Sequence, residues 1–187
     1  MTEIAESAIV DFEIYVLMTM KLRMSMSQIT EHLHAKLSEH GLSVEDGERA
    51  RDRVASSLGD EASYFRNLKV LLTGTDSDAT SLEFASALWP DFDFKAVAAE
   101  SGSTQSMNYR RMRGQVPQVE SPKEFGPWEV DVDDFARRFG PLTPGPLRPL
   151  NDQYLANYQE YGFSWNGRGY GAGFSWGLFM FAAQDWD

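Results

Sequence analysis

The sequence has no cysteine among its 187 residues. This excludes disulfides, thiolate metal ligands and a thiol nucleophile, and it suits a reducing compartment. Long apolar runs are also missing: the most hydrophobic late segment, Phe174 to Ala183, is only about half of the ~20 residues that a membrane-spanning helix needs. The first residues, Met1 to Ser7, contain no lysine or arginine, so the basic leader of a secretory signal is absent. We therefore expect a cytoplasmic protein with no membrane partner.

Basic residues are few relative to acidic ones. The chain has 17 lysines and arginines against 28 aspartates and glutamates, which gives a formal charge of −11. This charge opposes binding to a phosphate backbone, so direct nucleic-acid binding is not expected, whereas a protein partner with a basic surface is. Apolar residues at 42% and aromatic residues at 13% are sufficient for a packed core.

Histidine is scarce, and no catalytic or metal-binding set assembles. His32, His34 and His40 all fall on one predicted helix, where His32 and His34 point about 200° apart and His40 lies two turns beyond His32. Acidic pairs such as Asp76 and Asp78 lack the spacing of a calcium loop. We therefore expect no metal, no cofactor and no catalytic residues, which favours a protein that is not an enzyme.

The N-terminal region shows an alternating pattern. From Val10 to Met26 every even position is apolar, and most odd positions are polar. A period of two matches the pleat of a β-strand. The pattern predicts a long strand over about residues 9–26 with one buried face.

Further elements follow in an order that predicts an α+β fold, with a mixed or antiparallel sheet and helices packed on one of its faces. Ser43 and Asp46 resemble a capping box at the start of the second helix. For the third segment a strand and a helix both remain open. The predicted elements are helices at about 28–40 and 44–58, a strand or helix at 64–72, a helix at about 79–88 that includes Leu82, Phe84, Ala85 and Leu88, and a strand at 92–97.

The composition divides the chain into three stretches of one domain. Residues 1–100 form an α+β core, 101–150 a proline-rich and partly irregular connection, and 151–187 an aromatic, glycine-rich segment packed on the same domain. The connection carries Arg110, Arg111 and Arg113, which we interpret as a solvated loop or an internal ion-pair site. It also carries one short helix, Asp133 to Phe139, capped by Asp133.

Aromatic residues are concentrated near the C-terminus, with eleven between Tyr154 and Trp186. They form either a second core or an exposed platform for a partner. Asn166 and Gly167 have the sequence of a type I′ turn, and this predicts a hairpin of glycine-rich strands.

One string within this segment, Arg168-Gly169-Tyr170-Gly171-Ala172-Gly173, resembles the loop with which the acetyl-CoA-dependent N-acetyltransferase family binds the pyrophosphate of its cofactor. The resemblance implies that Arg168, Gly169, Gly171 and Gly173 would bind acetyl-CoA, and that residues 174–186 would form the helix whose N-terminus faces the phosphates.

The sequence thus favours a non-enzymatic, acidic, protein-binding protein of the inhibitor, immunity or phage or plasmid accessory type, docking a basic or aromatic-accepting surface. The alternatives are the N-acetyltransferase activity just described and a self-assembling structural component, for which a homo-oligomer is possible. The residues predicted to contact the partner are Trp165, Arg168, Tyr170, Trp176, Asp131, Asp133 and Asp134.

Overall fold

The computed structural model describes residues 3–184, which form six α-helices, one short 3₁₀-helix and seven strands. The strands make two antiparallel sheets, so the predicted α+β class is confirmed. The elements are α1 Glu6–Thr19, α2 Lys21–Met26, α3 Thr30–Glu39, α4 Val44–Leu58, α5 Tyr64–Thr73, β1 Ser81–Ala85, β2 Phe92–Ala98, β3 Thr104–Arg111, the 3₁₀-helix Pro122–Glu124, α6 Val132–Phe139, β4 Thr143–Leu147, β5 Tyr158–Trp165, β6 Arg168–Ser175 and β7 Leu178–Gln184.

The predicted N-terminal strand is wrong, because residues 9–26 lie in the helices α1 and α2. Buried positions of α1 run without a gap from Phe12 to Met18, so both the even and the odd residues face protein. The helix packs against α3, α4 and α5, and its Phe12 ring also contacts Phe94 of β2. A helix that is surrounded by protein on all sides has no polar face, so its apolar residues do not recur with the helical period of 3.6 residues.

The next helices follow the predicted boundaries closely. Ser43 accepts a hydrogen bond from the Asp46 main-chain N–H, and Asp46 accepts one from the Ser43 N–H, which confirms the capping box at the start of α4. The segment whose type was open is a helix, α5, and Gly74 ends it in the left-handed conformation.

The first sheet has the strand order β1-β2-β3. The helix predicted at 79–88 is wrong: residues 81–85 form β1, with Leu82 and Phe84 buried and Ser81, Glu83 and Ala85 exposed. The strand predicted at 92–97 is confirmed as β2. Residues 104–111, which were expected to belong to the connection, form β3 and complete this sheet.

The second sheet has the order β4-β5-β6-β7 and contains the predicted hairpin. Asn166 and Gly167 both have positive φ, as a type I′ turn requires, and they join β5 to β6. Helix α6 packs on one face of this sheet, where the Phe135 ring lies 5.2 Å from Phe163 and 5.6 Å from Phe174. The aromatic segment is therefore mainly a second core.

Trp176 joins the two parts of the molecule. It lies in the turn between β6 and β7, and its ring is fully buried between Phe12 and Tyr15 of α1. The indole N–H donates to the Thr19 hydroxyl at 2.9 Å, and the Trp176 carbonyl accepts from the Tyr109 N–H of β3 at 2.8 Å. This turn therefore fixes the second sheet against the edge of the first.

Candidate functional site

A cleft of about 430 Å³ lies where the second sheet meets the edge strand β3. One wall is β3 from Thr104 to Arg110, and the other is formed by β5, by the start of α6 and by residues 147–150. The close approach of the Gly177 turn sets the base of the cleft, since a Cβ on Gly177 would lie 3.0 Å from the Tyr109 carbonyl oxygen. The volume falls in the range of ligand-binding pockets, about 300–1,000 Å³.

The lining combines a larger apolar part with several amide side chains. Asn108 is exposed on β3, and Gln159 and Tyr161 face it from β5, with the Tyr161 hydroxyl donating to Gln159 Oε1 at 3.0 Å. Burial raises the pKa of Tyr161, and the nearby Asp133 carboxylate raises it further, so the phenol is neutral at physiological pH. The Gln159 amide also donates to the Gly145 carbonyl at 3.1 Å, so Asn108 is the neutral amide that stands exposed to a ligand in the cleft.

Charged side chains stand at the rim. Arg110 and Asp133 form an ion pair of 3.1 Å whose side chains are 69% and 56% exposed. Arg148 lies on the opposite side and pairs with Asp152 at 3.7 Å. Exposed pairs of this kind contribute about 0–1 kcal/mol, so their members can exchange partners with an incoming charge at small cost.

The arginine cluster confirms the internal ion-pair interpretation for two of its three members. Arg111 donates to Asp134 at 2.9 Å, and Arg113 donates to Asp93 at 2.5 Å and to the main-chain oxygens of Pro90 and Phe92. Arg111 is 10% exposed and Asp134 is fully buried. The Arg111–Asp134 pair connects β3 to α6 and thereby holds one wall of the cleft, whereas Arg113 ties the end of β3 to the start of β2.

The three acidic residues predicted at a partner interface have different roles. Asp131, rather than Asp133, is the N-cap of α6, and it shares a capping box with Asp134. Burial raises the pKa of Asp131 even though the N–H groups of Arg111 and Asp134 donate to it. Asp131 and Asp134 are therefore buried structural groups, and Asp133 alone of the three stands exposed at the cleft.

The four predicted contact residues of the C-terminal segment do not form one surface. Trp165 and Arg168 face each other at the hairpin end of the second sheet, and Tyr170 packs on Trp165 at 5.7 Å. Trp176 lies at the other end of the eight-residue strand β6, about 26 Å away at ~3.3 Å per residue. Trp176 and Tyr170 are buried, so neither side chain can anchor a partner on this surface, whereas Arg168 is exposed and Trp165 half-buried.

The glycine string does not have the geometry of a pyrophosphate loop. Residues 168–173 lie in strand β6, which is paired on both sides, by β5 and by β7. The helix predicted from residue 174 is wrong over the described residues, since β6 continues to Ser175 and Leu178–Gln184 is a strand; Trp186 lies outside them. Without a helix N-terminus after the string, the donors that would hold a pyrophosphate are not assembled.

Residues 3–184 can be compared with the requirements of a metal site and of a membrane-spanning helix. No group of three or more histidine, aspartate or glutamate side chains is arranged to hold a metal ion there. Within the same range, none of the helices has the length and apolar character needed to span a bilayer.

Sequence reasoning missed most of the cleft residues. Asn108 falls in the stretch 101–150 that is predicted as a partly irregular connection, and Gln159 and Tyr161 fall in the predicted aromatic segment 151–187. The alternation Met107, Tyr109 against Ser106, Asn108 and Arg110 was a usable signal, because it places the polar residues on one face of a strand. The opposing wall comes from residues about 50 positions later, which local patterns do not bring together.

Comparison with known proteins adds no assignment: no protein-family model, curated protein or solved structure matches this chain.

Proposed function

We propose that this chain is a non-enzymatic binding protein that holds an extended segment of a partner protein in the cleft between β3 and β5. The observation that carries the proposal is the lining itself: the exposed Asn108 amide lies in the cleft with an exposed carboxylate, Asp133, while Gln159 and Tyr161 are held in place by their own hydrogen bonds. Such groups recognise main-chain amides, and no nucleophile with an adjacent base lines the cleft among the described residues.

The charge of the chain indicates the chemistry of the partner. The cleft is lined by arginines as well as acidic residues, so the charge of its lining discriminates little between basic and acidic partners. The formal charge of −11 acts over longer distances and attracts a basic surface. Within the cleft, a lysine or arginine of the bound segment would share Asp133 with Arg110.

Blocking the cleft tests the proposal. The chain is used to capture its partner from native cells, and the affinity of the purified pair is then measured for three variants. Asn108→Trp fills the cleft from an exposed position and should weaken binding tenfold or more. Asp133→Asn should weaken it severalfold and reduce its dependence on salt. Asp52→Asn, the matched control, removes one charge from an exposed position on α4 and should leave affinity nearly unchanged.

Two results would contradict the proposal. If Asn108→Trp folds normally and binds the captured partner as tightly as the unaltered chain, the cleft is not the binding site. If affinity does not depend on salt, the acidic charge does not steer the partner.

A further inference from the structure

The sheet edges of this fold are not equally protected. An edge strand presents unpaired main-chain N–H and C=O groups and can pair with another chain, so folds usually cover or block it. Within residues 3–184, the edges of β3 and β4 are covered or blocked, and that of β7 is covered at its first residues. Along β3, Tyr109 and Arg111 donate their N–H groups to Trp176 and Asp131, and the Met107 carbonyl accepts from Asn157.

The second sheet is protected by different means. Strand β4 contains Pro144 and Pro146, which have no N–H to donate. Strand β7 is covered where it begins, because Phe179 exchanges main-chain hydrogen bonds with Trp128 and Val130.

The outer edge of β1 lacks such protection. The N–H of Ser86 donates to the Phe92 carbonyl and that of Ala98 to the Thr80 carbonyl, so the even positions of β1 bond to β2. The odd positions then direct their N–H and C=O groups away from the sheet. These residues are Ser81, Glu83 and Ala85, and in the described part of the chain no hydrogen bond covers their outer edge.

The side chains around this edge indicate the charge of its occupant. Glu83 stands at the centre of β1, is exposed, and lies opposite Lys95 of β2. A basic residue on the other side of Glu83 would place the carboxylate between two cations. A second copy of β1 paired antiparallel about its centre would instead place Glu83 opposite Glu83, which is unfavourable.

We propose that the outer edge of β1 binds an extended segment of a partner protein as an added antiparallel strand, with a lysine or arginine of that segment opposite Glu83. This inference rests on the proposed function, since it supplies a second contact surface for a basic partner protein. Main-chain bonds to the three odd positions provide the attachment, and the charge at Glu83 selects the segment.

Synthetic peptides test the edge without the natural partner. The probes are two heptapeptides of alternating threonine and valine that differ only in a central lysine or glutamate. Amide resonances of the protein are followed by NMR during titration. We expect the largest shifts at Ser81, Glu83 and Ala85, and roughly twofold to tenfold tighter binding of the lysine peptide. Glu83→Lys should reverse this preference.

Two further changes test the role of the main chain. Glu83→Pro removes one outward N–H while leaving the bonds to β2 intact, and it should abolish binding, whereas Glu83→Ala should retain binding and lose only the preference for lysine. A lysine peptide methylated on alternate main-chain nitrogens should not bind the unaltered protein, which gives the same test if Glu83→Pro does not fold.

The proposal is overturned if neither peptide shifts the β1 amides, or if the methylated peptide binds as well as the unmodified one. A dimer of the unaltered chain that Glu83→Pro dissociates, seen by sedimentation, would overturn it as well, since the edge would then serve a second copy. The peptides should still bind the cleft-blocked variant Asn108→Trp. Failure of the cleft and failure of the edge are thus distinguishable.

Discussion

Replacement of Glu13 tests the reasoning about the buried interior most directly. The Glu13 carboxylate is fully buried on α1 and accepts four hydrogen bonds. Its Oε1 accepts from the main-chain N–H groups of Ala87 at 2.7 Å and Leu88 at 3.2 Å, and its Oε2 from the hydroxyls of Ser86 at 2.5 Å and Tyr109 at 2.8 Å. The carboxylate therefore ties α1 to the turn after β1 and to β3.

The loss of unfolding free energy in each variant depends on which hydrogen-bond donors around residue 13 can find another acceptor. In Glu13→Gln the amide oxygen still accepts from the two main-chain N–H groups, and the hydroxyls of Ser86 and Tyr109 can rotate. In Glu13→Leu the two N–H groups lose their acceptor, at about 1–3 kcal/mol each. Both variants remove the charge, so their difference reports the hydrogen bonds of residue 13, of which these two main-chain bonds cannot be replaced by rotation. We expect Glu13→Leu to be about 2–6 kcal/mol less stable than Glu13→Gln.

The assay is urea unfolding followed by tryptophan fluorescence at one pH. Equal stability of the two variants, or greater stability of Glu13→Leu, would refute the claim that these N–H groups depend on residue 13.

The same residue predicts a pH dependence. Burial raises the pKa of Glu13 above its ordinary value of 4.5, and the four hydrogen bonds only partly offset this. The folded protein then holds the proton more tightly than the unfolded chain does. The free energy of unfolding, taken relative to Glu13→Gln, should therefore fall as pH rises from about 4.5 through the raised pKa, and level off above it. A difference that rises over this range would contradict the assignment.

Two further predictions use neighbouring residues as matched controls. Arg111→Met removes the buried one of the two arginines that pair with Asp134 and should cost about 2 kcal/mol or more of unfolding free energy, because only the exposed Arg137 then remains paired with Asp134. Arg110→Met removes an exposed pair and should cost about 1 kcal/mol or less. Similar costs in denaturant unfolding would contradict a structural role for Arg111. Gly173→Ala should lower the free energy of unfolding by about 1–3 kcal/mol, because its Cβ would lie 2.2 Å from the Tyr158 hydroxyl. The control, Gly169→Ala, meets no atom within 4 Å and should change it by about 0.5 kcal/mol or less. Equal melting temperatures for the two variants would contradict this close packing of Tyr158 on Gly173.

The capping and turn signals were sufficient where the interaction is local. Ser43 and Asp46 cap α4 as predicted, and Asn166 with Gly167 forms the predicted turn. Both depend on groups within three residues of one another, so the sequence contains all of their partners. The helix predicted at about 28–40 is likewise confirmed as α3, whose buried Leu33 and Leu37 lie one turn apart.

The prediction of a long N-terminal strand was wrong for a physical reason. Alternation indicates a strand only if one face is exposed, and α1 has no exposed face over residues 12–18. A strand of that length would also have exceeded the usual 3–10 residues, which was an available warning.

The sequence by itself determined the α+β class, the acid excess and the hairpin, because composition and short-range contacts govern these. For the arginine cluster it left a solvated loop and an internal ion-pair site both open, and the structure decided between them because the partners Asp93 and Asp134 lie about 20 positions away. Only the tertiary structure decided that Trp176 is buried against α1, that β3 and β5 form a cleft, and that β1 keeps an open edge. These features join residues that lie tens of positions apart in the chain. Their contacts depend on how helices and sheets pack, which no local pattern specifies.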